Sequence, residues 1–162
     1  MTELRFRQGA GRMCLDFIRT LRRRGTDLAA EELPDGEALV AWFEQCGPAL
    51  TWETPSAAEV REARRLRDAI YELLTAAIGT GTEACRPSAR DRVNRAAQAP
   101  VPVPRLTSQG EIRWYADDPL SALLALVARD ALDLVASPLV SRVHGCADPT
   151  CAALFLDASR PG

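Results

Sequence analysis

Apolar residues recur at spacings of three and four along several stretches of the chain, and glycines, prolines and capping residues separate those stretches. This is the pattern of helices that bury one face. The clearest runs from about 55 to 78, where Val60, Ala63, Leu66, Ile70, Leu73, Leu74 and Ala77 form the stripe and Glu62, Arg65 and Asp68 lie opposite. Thr54 can cap it, Pro55 suits the first turn, Ser56 with Glu59 fits a capping box, and Gly79 and Gly81 end it. "LPDGEALVAWFEQCG" offers Asp35 as a cap, an apolar face of Leu39, Trp42, Phe43 and Cys46, and a stop at Gly47. "RPSARDRVNRAAQA" reads as a shorter helix capped by Ser88. The last strong helix starts at Asp118 and Pro119 and runs to Pro138, apolar on most of its circumference, so it is expected at the centre of the core.

Shorter segments fill the gaps. "LRFRQGAGRM" alternates Leu4 and Phe6 with Arg5 and Arg7 before two glycines, a short strand or extended arm. "CLDFIRTLRRRG" places Leu15, Ile18 and Leu21 on one helical face, with Gly25 as the stop. "PVPVPRL", "TSQG" and "EIRWYA" read as a β-hairpin with prolines on an edge strand. "LVSRVHG" and "AALFLD" predict two short strands around a tight turn. The expected fold is mainly α: about five helices and one small β-hairpin over residues 1–138, then a short β/knuckle appendage over 139–162.

Composition narrows the function classes. At 47% apolar and 26% charged residues, the chain is an ordinary globular one. No apolar run reaches the roughly 18–20 residues that cross a bilayer, and the N-terminus lacks a signal-like apolar segment, so a cytoplasmic protein without membrane contact is expected. The net charge of −2 argues against a surface that grips nucleic acid everywhere, but not against a local basic module. All 20 basic residues are Arg. Arg22, Arg23 and Arg24, with Arg19 nearby, are the densest run; at a helix C-terminus they would solvate the end and meet its dipole, a reading preferred here to a DNA patch. "REARRLRD" reads as a solvated, ion-paired helix face. Asp16 and Thr20, one turn apart among core positions, could line a ligand pocket, or hydrogen-bond to backbone and fix the N-terminal arm.

Five cysteines without a signal do not form a disulfide framework. Cys14, Cys46 and Cys85 read as small buried apolar residues. Cys146 and Cys151 differ: they flank Ala-Asp-Pro-Thr, a turn that can aim two thiolates at one point. His144, two residues before Cys146, is a candidate third ligand in an extended segment. A Cys–His nucleophile would need an orienting third group, and no Ser-His-Asp set, HExxH or phosphate loop is present, so no enzyme activity is expected.

"CADPTCAALFLDASR" resembles the start of the CGNR-type zinc finger, where a Cys-x4-Cys knuckle precedes Phe-Leu-Asp-x-Ser-Arg. "CLDFIRT" is similar to the Leu-Asp-Phe-x-Asn-Thr signature opening that family's helical ABATE domain, and "RRLRDAIYELL", Asn94 and the Trp-containing hairpin follow in the family's order. Position 19 is Arg where the pattern has Asn, and the second knuckle with its basic run is absent. Either this member has lost the second knuckle or the chain continues beyond "SRPG", where the family turns into its Arg-rich segment; the second is expected. The resemblance implies a stress-linked transcription regulator, with a sensor domain over 1–138 and half a zinc finger over 139–162. It implies DNA as a partner through the complete finger, with Arg142 and Arg160 as candidate contacts, and zinc in a longer form. In residues 1–162 the Cys146/Cys151 half-site is expected to hold no zinc, because two thiolates rarely suffice. The alternative is a domain that binds a small-molecule effector or a protein and no DNA. Homodimerisation stays open, since no heptad seam marks it.

Overall fold

Five helices form in the computed structural model, which describes residues 5–159: α1 (Met13–Ile18), α2 (Gly36–Cys46), α3 (Ala57–Ile78), α4 (Pro87–Gln98) and α5 (Pro119–Ala136). Three two-stranded antiparallel pairs accompany them: β1 (Leu21–Arg22) with β2 (Ala30–Glu31), β3 (Val103–Leu106) with β4 (Ile112–Tyr115), and β5 (Val143–Gly145) with β6 (Leu154–Leu156). The protein is mainly α. The first strand pair is an addition to the single hairpin and terminal appendage that the pattern implied.

Local chemistry accounts for the helix starts. Asp35 accepts the Ala38 N–H at 2.9 Å at the head of α2. Asp118 accepts from Ser121 at the head of α5. At α3 the cap is Ser56, not Thr54: its hydroxyl accepts the Glu59 N–H while Glu59 accepts the Ser56 N–H, a complete capping box. At α4 the cap position falls on Arg86 with Pro87 in the first turn, so Ser88 lies inside the helix.

α1 departs furthest from expectation. It ends at Ile18 instead of reaching Gly25, because Thr20 turns its N–H and its hydroxyl back to the Phe17 carbonyl and the chain reverses into β1. Arg22, Arg23 and Arg24 therefore do not meet a helix dipole: Arg22 sits in β1, Arg23 takes a left-handed turn at φ 50°, and Arg24 pairs with Asp68 at 2.7 Å over the Tyr71 ring. α1 also lacks a side-chain cap of its own. Asp130 on α5 supplies one from across the core, accepting the Cys14 N–H and the Arg12 Nε–H, each at 2.8 Å.

α5 lies at the centre, packed on α1, α3 and α4, with Leu123, Val127, Ala131 and Leu134 fully buried. An aromatic group of Phe17, Trp42, Phe43 and Trp52 joins α1 and α2 to the segment before α3; Phe17–Trp42 and Trp42–Phe43 centroids are each 4.9 Å apart. Residues 5–12 run as an arm without strand pairing, in which the Gln45 side chain clips both the N–H and the carbonyl of buried Phe6; Leu4 lies outside the described residues.

Arg67 corrects the view of α3 as carrying only a solvated basic face. It is 1% exposed and grips both carboxylate oxygens of Glu31 at 2.6 and 2.8 Å. Arg64 adds hydrogen bonds to the Leu33 carbonyl. Arg65 stays outside, paired with Glu62. Two of the four arginines thus anchor the β1–β2 ribbon to the helix.

Candidate functional site

The cysteine turn closes the β5–β6 hairpin. Val143 pairs with Leu156, His144 with Phe155 and Gly145 with Leu154, and the Cys146 N–H extends the ladder to the Ala153 carbonyl at 2.8 Å. Within the loop Asp148 organises the turn. Its carboxylate accepts the Thr150 hydroxyl and N–H at 2.7 and 2.8 Å, and its carbonyl accepts the Cys151 N–H at 3.0 Å. The Thr150 hydroxyl, then its N–H, hold the Asp148 carboxyl below its ordinary value. Ala152 returns the chain at φ 53°, a left-handed conformation rare for a residue with a Cβ. Asp157 repeats the device after β6 by accepting from Ser159.

The hairpin is fastened to the body. Val143 and Leu154 are buried in the same core as the helices. The Leu156 N–H donates to the Ala10 carbonyl at 2.8 Å, and the Asp157 N–H to the Arg142 carbonyl at 2.9 Å. Gly11 makes the approach possible: a Cβ there would stand 2.9 Å from the Leu156 Cβ, and its φ of 96° suits glycine.

Cys146 is exposed and Cys151 half-buried at the tip. The His144 ring stands beside Phe155, with centroids 6.2 Å apart. Among the described residues no three side chains of His, Cys, Asp or Glu come together as a metal site, so His144 does not complete one with the two thiols. The donor set here is two sulfurs, which does not fit a closed zinc centre. Arg142 donates to the Ser159 carbonyl beside the hairpin, and Arg160 lies outside the described residues.

Asp16 and Thr20 both turn their side chains to protein partners. Asp16 accepts the Ala10 N–H at 3.0 Å and so fixes the N-terminal arm; burial pushes its carboxyl up, against that hydrogen bond and the charge of Arg19. Thr20 is 1% exposed and spends its hydroxyl on Phe17 and, at 3.4 Å, on Arg67. The residues between and beyond them do face a cavity: Ile18, Arg19, Leu21, Arg22 and Arg23 line one with Arg7 and the cysteine loop. The basic run signalled this surface in the sequence, but a helix through residue 25 would have spread those side chains around an axis.

A mainly helical body with a cysteine hairpin docked beside its first helix is the class of protein this fold defines. The family model ABATE, described as "Putative stress-induced transcription regulator", matches residues 11–138, which take in α1 to α5, and the chain belongs to that family. No match to a curated protein accompanies it. Among the described residues no helix is long and apolar enough to cross a membrane.

Proposed function

We propose that this member of a transcription-regulator family acts on DNA through a zinc finger of the CGNR type, of which residues 139–162 are the first half and residues 1–138 the sensor body. The reading rests chiefly on the hairpin that presents Cys146 and Cys151 at the tip of a turn ordered by Asp148 and anchored to the family domain. A structural zinc supplies rigidity by holding two such knuckles together. In this reading the other ligands lie outside residues 1–162, and Cys146 and Cys151 are this chain's share. DNA affinity then comes from basic residues at the finger, Arg142 and Arg160 among them.

Part of the body's positive charge is spent internally: Arg12, Arg24 and Arg67 are engaged by carboxylates. Neither half of the proposal calls for enzyme activity or a membrane, and the protein acts in the cytoplasm. Residues 1–162 alone are expected to bind duplex DNA weakly and to carry well under one zinc per chain. Electrophoretic shift across a salt series and metal analysis check both. Tight, salt-sensitive binding by this span, or one firmly held zinc per monomer, would overturn the division of labour. A form carrying a second cysteine pair is expected to gain zinc and DNA binding together; if it gains neither, the body is a binding domain for a small molecule or protein instead.

A further inference from the structure

A cavity of about 170 Å³ lies where the cysteine hairpin meets the body. Arg7, Arg19, Arg22 and Arg23 line it from the body side, and Asp148 and Ala152 from the hairpin. The geometry points to a binding site here for a small organic anion, a carboxylate or phosphate ester, held by these arginines at the joint. The inference stands whether or not the hairpin is half of a finger.

Charge is the first ground. Arg19 comes only within 3.8 Å of Asp16, and Arg22 within 3.6 Å of Glu32, both longer than hydrogen bonds. Arg12, Arg24, Arg67, Arg86 and Arg129 each donate side-chain hydrogen bonds to protein oxygens, whereas the Arg7 and Arg23 side chains make neither a hydrogen bond nor an ion pair among the described residues. Arg7 and Arg23 therefore keep their forks of donors for another partner, with Arg19 and Arg22 only loosely held beside them, and such a fork matches a carboxylate or phosphate two bonds at a time. Asp16, Glu32 and Asp148 set three negative charges against four positive ones, so the site favours an anion without being fully neutralised from within.

The second ground is backbone. Among the described residues, Arg23 and Ala152 are the two non-glycine positions with positive φ, at 50° and 53°, and both line this cavity. One belongs to the body and the other to the hairpin. Such conformations persist where the surroundings demand a particular orientation, and they cluster at ligand clamps.

Size and lining define the ligand. Pockets for drug-sized molecules begin near about 300 Å³, so a cavity of about 170 Å³ suits a small metabolite. Ile18 and Leu21 give it an apolar side, which suits a short carbon stem on the anion. Cys151 also lines the cavity, so occupancy reports directly on the hairpin.

The test uses residues 1–162 with Cys146→Ser, with inorganic phosphate and succinate as probes and a short DNA duplex as the third arm. At least one small anion is expected to slow alkylation of Cys151 saturably and to raise the melting temperature. Arg22→Gln and Arg23→Gln should each weaken the effect about tenfold or more, the loss of one charge-assisted hydrogen bond. Arg113→Gln, on the distant β3–β4 hairpin, should leave it unchanged. The inference fails if neither anion protects Cys151 at up to tens of millimolar, or if the cavity variants bind like the parent. It also fails if the duplex alone protects Cys151, since the arginines would then belong to a DNA surface.

Discussion

Replacing Arg67 by Met tests whether the β1–β2 ribbon is held by charge. Arg67 is 1% exposed and makes two hydrogen bonds to Glu31, a contact to Thr20 at 3.4 Å and one to Asp68 at 3.3 Å. Met keeps most of the buried stem, so the loss is electrostatic. Removing one partner of a buried pair costs about 3–5 kcal/mol. Glu31 retains 28% exposure and has Arg64 at 3.6 Å, which places the expected loss at the low end, about 3 kcal/mol. For a chain of this length that is a fall of about 6–12 °C in melting temperature. The pH dependence separates charge from packing. Burial alone would raise the Glu31 carboxyl, but the hydrogen bonds and charge of Arg67 outweigh it and hold the group below its ordinary value. Its contribution is therefore complete above the unfolded value of about 4.3 and lost as pH falls through the lower folded value. In urea unfolding, the gap between parent and Arg67→Met should be widest near neutral pH and shrink below about pH 4. Adding Glu31→Gln should recover much of the loss, since no unpaired carboxylate then remains. A gap under about 1 kcal/mol at neutral pH, or one that persists unchanged under acid, would refute the charge argument.

Asp130→Ala should cost about 2 kcal/mol, by removing the cap on α1 and one of two carboxylates on Arg12, and amide exchange should quicken first in α1. Gly11→Ala should cost about 1–2 kcal/mol through its positive φ and its clash with Leu156, with the Leu156 amide losing protection ahead of the core. With a thiol reagent under native conditions Cys146 should react first, while Cys14 should wait for unfolding. Cys14 is fully buried, and burial, then the Asp130 carboxylate, push its thiol far above the ordinary range.

Helices whose signals are local were legible in the chain. Asp35, the Ser56–Glu59 box and Asp118 each act within one turn of themselves, and their helices start where those residues stand. What stayed hidden depends on partners far along the chain. α1 takes its cap from Asp130, more than a hundred residues later, so nothing beside it announces where it begins. Arg67 falls on the apolar stripe of α3, four residues after Ala63 and three before Ile70, so its burial was signalled by the period, but its partner Glu31, 36 residues upstream, was not. A two-residue strand pair has too little pattern to be seen at all. The cysteine turn was readable because Cys146, Asp148 and Cys151 are local, whereas the cavity beside it required Arg7 and Ala152 to meet across the fold.

The family match ends at residue 138, but the apolar core does not. Val143 and Leu154 are 3% and 5% exposed and belong to the cluster built on α5, and the free edge of β6 is hydrogen-bonded to Ala10 at the start of the body. Burial of this kind couples the hairpin to global unfolding, where a knuckle on a flexible tether would open by itself. The consequence is mechanical. Any event that moves the N-terminal arm or the α1–β1 turn acts on the hairpin through Ala10, Gly11 and the arginines at the joint, without an intervening linker. A displacement of the arm or the α1–β1 turn thus has a short route to Cys146 and Cys151, and the joint rather than the cysteine tip alone is where substitutions should loosen the hairpin.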